Sequence, residues 1–152
     1  MANQTLPQPV AALFTAHDAG EPATWSGNYV DLPVGRVEGK QFLSEILGMT
    51  GCEISINSLP PGGGMPFWHA HTNNEEVYIF LSGAGQMQID DTMVAVRAGS
   101  FVRIAPAAAR IWRNTGAEPL VYLVLQVREG SLRHAGISDG KLVEKPVVWA
   151  GT

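Results

Sequence analysis

Two histidines, His69 and His71, stand one residue apart in the stretch WHAHTNNEEVYIFLSG, Trp68 to Gly83, and two carboxylates, Glu75 and Glu76, follow them. On a strand, residues i and i+2 point to the same side, so the two imidazoles can reach one point. Imidazole nitrogens bind first-row divalent metals at about 2.0–2.1 Å. A carboxylate from the next strand, after a tight turn, would complete three ligands and leave coordination positions open. Two histidines and one carboxylate suit non-haem Fe(II) and other divalent ions. Glu75 and Glu76 are both near enough in sequence to serve. The H-x-H spacing alone is a weak signal, because two histidines beside NNEE also describe a solvated turn. Here the loop PPGGG precedes the histidines, an apolar β-type run follows them, and Gly83 closes it.

A second stretch, AGSFVRIAPAAARIWRNTG from Ala98 to Gly116, carries Arg110 where another ligand would be useful. A guanidinium stays protonated and has no lone pair to give, so it cannot ligate a metal. It can grip a carboxylate or phosphate through paired N–H groups. Alternation places Arg110, Trp112 and Asn114 on one strand face. Tyr78, Phe80, Phe67, Trp68, Trp112 and Met87 are candidates to line a pocket or to fill a core. Trp68, between the two histidines' neighbours, is expected to point away from them. Gln88 is read as a surface amide, His17 and His134 as solvated histidines, and Cys52 as a small buried hydrophobe.

The elements that must position these groups are short. Seventeen glycines and ten prolines punctuate the chain, as many short strands require. CEISINSL, EVYIFLSG, SFVRIAP, RIWRNTG and PLVYLVLQV read as strands, and AGQMQIDDTMVAVRAG as a hairpin turning at Asp90–Asp91. Strands of this length at this spacing predict an antiparallel sandwich or barrel. EGKQFLSEILG places Phe42, Leu43, Ile46 and Leu47 at helical spacing, with Gly48 as a C-terminal stop. A helical turn is expected near Val10–Phe14. In EVYIFLS, Glu76, Tyr78 and Phe80 share one face while Val77, Ile79 and Leu81 share the other. Both faces are largely apolar, so something must cover the outer one: the N-terminal arm, the tail or a partner subunit.

The pattern Gly63-x5-His69-x-His71-x4-Glu76-x6-Gly83 resembles the first motif of the cupin superfamily. In that motif the glutamate separated from the closing glycine by six residues is the ligand, which selects Glu76 over Glu75. The second motif is degenerate here: Gly99, Pro106 and Asn114 match, but Arg110 fills the histidine position and the turn glycine is missing from PAAAR. The short segment Gln86–Ala98 between the motifs is similar to that of single-domain bacterial cupins. The resemblance implies an all-β fold, a double-stranded β-helix (a cupin or jelly-roll barrel), with a short N-terminal helix and arm. It divides the chain into an arm and helix at residues 1–48, a barrel at 49–130 and a tail at 131–152. It also implies a homodimer and a divalent ion (Fe, Mn, Zn or Ni) held by His69, His71 and Glu76, with Arg110, Tyr78 and Trp112 facing a small-molecule ligand. Three positions for Arg110 follow: in the pocket clamping an anion beside the metal, paired with Glu76 in a pocket without metal, or turned out at the rim.

Composition narrows the partners. The 152 residues suit one domain with one core. The net charge is −4 and no dense Lys/Arg run occurs, which argues against nucleic acid or an anionic membrane as the partner. Cys52 is the single cysteine, so no intrachain disulfide forms and a reducing, cytoplasmic setting is expected. No signal peptide or membrane span is read. A metal-dependent enzyme, a non-catalytic ligand-binding module and a dimer with a structural metal all stay open. A structural metal usually has four protein ligands, and the sequence offers three.

Overall fold

The computed structural model describes residues 13–151. The helical turn expected near Val10–Phe14 lies largely outside these residues, and Leu13 and Phe14 are not helical. A 3-10 helix, Pro22–Gly27, leads into ten strands: β1 (Tyr29–Leu32), β2 (Gly35–Glu38), β3 (Lys40–Phe42), β4 (Glu53–Leu59), β5 (Asn74–Ser82), β6 (Ala84–Ile89), β7 (Thr92–Arg97), β8 (Phe101–Ile104), β9 (Arg110–Asn114) and β10 (Leu120–Arg128). One turn of α-helix, α1 (Ser44–Leu47), separates β3 from β4.

The strands form a five-stranded sheet in the order β3-β4-β10-β5-β8, a three-stranded sheet in the order β7-β6-β9, and the hairpin β1-β2. Their pairings are antiparallel. The two larger sheets enclose one core in which Tyr78, Phe80, Met87, Val96, Ile104, Trp112, Leu120 and Tyr122 interlock. This is the double-stranded β-helix that the strand spacing and the motif anticipated. The β6–β7 hairpin turns at Asp90–Asp91 as expected, with Ile89 opposite Thr92 and Asp90 at φ 47°, a backbone that Asp tolerates better than most residues.

The helix read from EGKQFLSEILG is mostly overturned. Lys40, Gln41 and Phe42 pair instead with Asn57, Ile56 and Ser55 of β4. Only Ser44–Leu47 is helical, and Gly48, at φ 66°, ends it. A partner strand decides the matter, and it lies too far along the chain for a local period to register it. Gly39 makes this docking feasible: its φ is +69°, and a Cβ there would fall 1.9 Å from the Ser58 carbonyl oxygen. The region read as an arm thus holds a hairpin and an edge strand of the main sheet.

The outer face of the main sheet has two environments. Around β4 and β10 the N-terminal segment covers it: Trp25 packs with Ile56 and Val121, flanked by Ala19, Leu43 and Leu123. The Trp25 indole donates to the Ala19 and Gly20 carbonyls at 3.1 and 3.2 Å, which satisfies its polar handle. Toward the β8 edge no such cover exists among the described residues, and Phe101 and Leu81 stay 69 % and 43 % exposed. The tail after β10 has no regular secondary structure, and it leaves Leu142, Val148 and Trp149 exposed. His17, expected to be solvated, is half-buried, with both ring nitrogens lacking partners.

Candidate metal centre

The segment carrying the histidines is not a regular strand, yet it runs antiparallel beside β9. The Asn114 amide donates to Gly63 O, Met65 N to Trp112 O, and His69 and Arg110 exchange backbone hydrogen bonds at 2.9 and 3.2 Å. His71 N then reaches Pro106 O at 2.9 Å. These bonds carry the two imidazoles to one end of the barrel, with ring centroids 5.4 Å apart. Glu76 arrives from β5, on the same face as Tyr78 and Phe80.

One ligand atom from each of His69, His71 and Glu76 lies within 4.8 Å of the other two. His71 Nε2 is 3.0 Å from Glu76 Oε1, and His69 Nε2 is 3.9 Å from Glu76 Oε2. Two donors each about 2.1 Å from one ion at a right angle would be about 3.0 Å apart, so the His71–Glu76 pair already has the required spacing. His71 Nε2 is buried and makes no aligned hydrogen bond despite that short distance. A buried nitrogen without a partner carries a desolvation penalty that an ion would remove. Burial, more than any neighbour, pushes the His69 imidazole down to about 4. It is therefore neutral at pH 7, the form that ligates. The donor set fits a divalent ion with open positions.

The carboxylate is held from behind. The Tyr78 hydroxyl donates to Glu76 Oε2 at 2.7 Å, and burial followed by the nearby Glu76 charge raises the Tyr78 phenol well above its usual range. Arg110 Nη2 lies 3.1 Å from the same oxygen, close enough for an ion pair. The Arg110 side chain is 0 % exposed. Its Nη1 donates to the Ala108 and His69 carbonyls, while Nε and Nη2 lack aligned hydrogen bonds. Arg110 is therefore not at the rim, and it does not line the cavity that the ligands face. Of the three positions open to Arg110, the structure has it against Glu76, with Nη2 3.1 Å from Oε2, and not among the residues that line the cavity.

That cavity measures about 360 Å³, within the range of small-molecule sites. Tyr78 and Trp112 line it together with His69, His71 and Glu76. The Trp112 indole donates to the Tyr122 hydroxyl at 2.8 Å, so its ring is fixed. Phe67 and Trp68 form part of the wall, and Trp68 is 45 % exposed. Leu32, Val34 and Val37 of the β1–β2 hairpin, with Phe42, supply the apolar wall. Glu75 lies elsewhere, paired with Arg103 at 2.6 Å, as the motif's preference for Glu76 requires. Gln88 lies beside a separate, more open depression with Gln86, Met93 and Arg113.

Sequence reasoning passed over Lys40, Glu53, Ser55 and Gln126, which also line the cavity. Gln126 and Glu53 lie on β10 and β4 in the register row of Glu76. Period-2 alternation in CEISINSL could have flagged Glu53 and Ser55. Lys40 carried no such signal, since its segment read as helix.

An antiparallel barrel with two imidazoles and a carboxylate gathered at one end defines the class. A profile of the cupin domain matches residues 56–126. The structure is similar to that of a cupin protein from Bacteroides fragilis, at 38 % identity and a TM-score of 0.67, covering 77 % of this chain and 98 % of that one. It is also similar to a "predicted oxalate decarboxylase" of Thermotoga maritima, at 25 % identity and a TM-score of 0.54, covering 62 % of this chain and 82 % of that one. An uncharacterized protein of Methanocaldococcus jannaschii is 32 % identical over 66 residues, 43 % of this chain. The match spans about half, 53 %, of that curated relative. The chain belongs to the cupin family. Among the described residues no helix is long and apolar enough to cross a membrane.

Proposed function

We propose that this chain is a small metal-binding cupin that binds, or acts on, a small anionic molecule in the barrel mouth. One observation carries the reading: two imidazoles and a buried carboxylate converge at a cavity, and the buried His71 Nε2 has no aligned partner. A divalent ion there would supply Lewis-acid or redox chemistry at its open positions. Glu76, braced by Tyr78 and Arg110, would be a rigid anionic ligand. Tyr78 and Trp112 would present their faces to the bound molecule. An anionic ligand is supported by Lys40 in the cavity wall, by the charge an ion would add beside it, and by the Thermotoga relative, which is named for an anion, oxalate. Titration calorimetry of chelator-treated protein with Fe²⁺, Mn²⁺, Zn²⁺ and Ni²⁺ tests the centre. Wild type should bind at least one ion at one per chain, and His69→Ala should lose that binding. Equal binding by both proteins, or none by wild type, refutes it.

One observation favours a second reading, a non-catalytic ligand-binding cupin without metal. Arg110 already neutralises Glu76 at 3.1 Å, so the carboxylate has a counter-charge with no ion present. The same titration separates the two.

A further inference from the structure

Lys40 sits on β3, the edge strand that the chain's N-terminal part adds to the main sheet. Its ammonium reaches into the cavity wall, where Nζ donates to Ser55 Oγ and Asn57 Oδ1, both at 2.9 Å. Both acceptors are neutral. An ammonium has three donors, and no carboxylate of the described residues lies within ion-pair distance of this one. Phe42 adds a cation–π contact, 4.8 Å from Nζ to the ring centroid. Burial accordingly pulls the Lys40 ammonium down to about 8, and the facing charges of Glu76 and Glu53 only partly oppose this. The strand is not free to withdraw the group, because Gly39 O accepts from Ser58 N at 2.8 Å and Gly39 N donates to Asn28 O at 2.7 Å.

The remaining walls have a different character. Leu32, Val34, Val37, Phe42, Phe67 and Trp68 are apolar. The cavity thus offers the Lys40 ammonium on the β3–β4 wall, with the Glu53 carboxylate and the Gln126 amide also in the lining, an apolar body, and the group formed by His69, His71 and Glu76. Arg110, whose charge is spent on Glu76, is closed off from this space.

We propose that Lys40 is the anion anchor of the cavity, taking the carboxylate of a small molecule whose apolar body lies along Phe42, Phe67 and Trp68. The proposal rests on the cavity's being a ligand site, as argued above, and it adds the ligand's class: a carboxylic acid with an aliphatic or aromatic body. It does not require that a metal be bound. The bound carboxylate receives the free ammonium N–H and gives the half-buried cation a counter-charge in direct contact, where Glu76 and Glu53 act on it only from beyond ion-pair distance.

The test compares matched carboxylates and amides: benzoate with benzamide, phenylacetate with phenylacetamide, hexanoate with hexanamide. Binding to wild type, Lys40→Met and Lys40→Gln is measured by calorimetry, with and without chelator, after circular dichroism has confirmed the fold. Lys40→Gln keeps a donor for Asn57 should the methionine variant fail to fold. In at least one pair the wild type should prefer the carboxylate, and loss of the charge should weaken that acid by about ten- to a hundredfold while leaving its amide unchanged. If no carboxylate binds more tightly than its amide, the proposal is wrong. A preference that survives in the Lys40 variants but disappears with chelator also overturns it, and assigns the anion to the metal. A Lys40-dependent preference in protein that binds none of the four divalent ions supports the anchor while refuting the metal centre.

Discussion

Replacing Arg110 with methionine keeps the buried stem and removes the charge, so it should move two properties in opposite directions. Without metal, Glu76 is buried and shares one oxygen between Arg110 Nη2 at 3.1 Å and the Tyr78 hydroxyl at 2.7 Å. Removing one partner of a buried ion pair costs about 3–5 kcal/mol. At about 2–4 °C per kcal/mol for a domain of this size, the metal-free melting temperature should fall by about 6–20 °C. With metal the sign reverses. A divalent ion and a guanidinium about 5 Å apart repel by about 3–7 kcal/mol at an effective dielectric of about 20–40. The lower figure suits a cavity open to solvent and amounts to about a hundredfold in affinity. Arg110→Met should therefore melt earlier than wild type in chelator, bind the preferred divalent ion about a hundredfold more tightly, and show the larger metal-induced stabilisation. Scanning fluorimetry in chelator and in saturating ion, with calorimetric titration, reads all three. A variant with an unchanged metal-free melting temperature and equal or weaker metal affinity would refute the reasoning, because Arg110 would then neither brace Glu76 nor oppose an ion.

Lys40 supplies a stability test with a defined sign. Its folded value of about 8, against 10.5 for the free side chain, means that the unfolded chain holds the extra proton between those limits. Stability from this group therefore rises as pH rises from about 8 to 10.5, by about 3 kcal/mol in all. Lys40→Met gains this at pH 7, less about 1 kcal/mol for each lost hydrogen bond to Ser55 and Asn57. Its urea-unfolding free energy relative to wild type should thus drop by about 3 kcal/mol across that pH range, and a pH-independent difference would contradict the burial of the ammonium. Gly39→Ala should destabilise by more than about 2 kcal/mol, since the added Cβ would sit 1.9 Å from a backbone oxygen at φ +69°; a melting temperature within 2 °C of wild type would show that β3 can shift. A homodimer is expected, because Phe101 and Leu81 on the sheet and Trp149 in the tail are 69 %, 43 % and 86 % exposed and need cover. Light scattering that returns 16.3 kDa at micromolar concentration would exclude it.

Much of this protein was legible in its residues. Alternation and turn chemistry located β4 to β10, because each is a local pattern of short apolar runs ended by Gly, Pro or Asp. The spacing of His69, His71 and the two glutamates pointed to a possible ligand group, and the resemblance to the first cupin motif selected Glu76, which the structure gathers with the two histidines. Other features depended on contacts between distant parts of the chain. The segment Lys40–Phe42 has helical spacing, yet Asn57 and Ser55 claim it as a strand. That pairing brings Lys40 to the cavity, and no periodicity within its own segment could announce it. Arg110 was recognisable as a departure from the motif, but three positions stayed open to it, with the clamp on a ligand favoured and the pair with Glu76 ranked last. The backbone bonds between β9 and the His69 segment chose one, turning the guanidinium behind Glu76 and away from the ligand space. Composition and spacing determine which groups can meet at one end of a barrel. The tertiary packing decides which of their charges face a ligand and which are spent on one another.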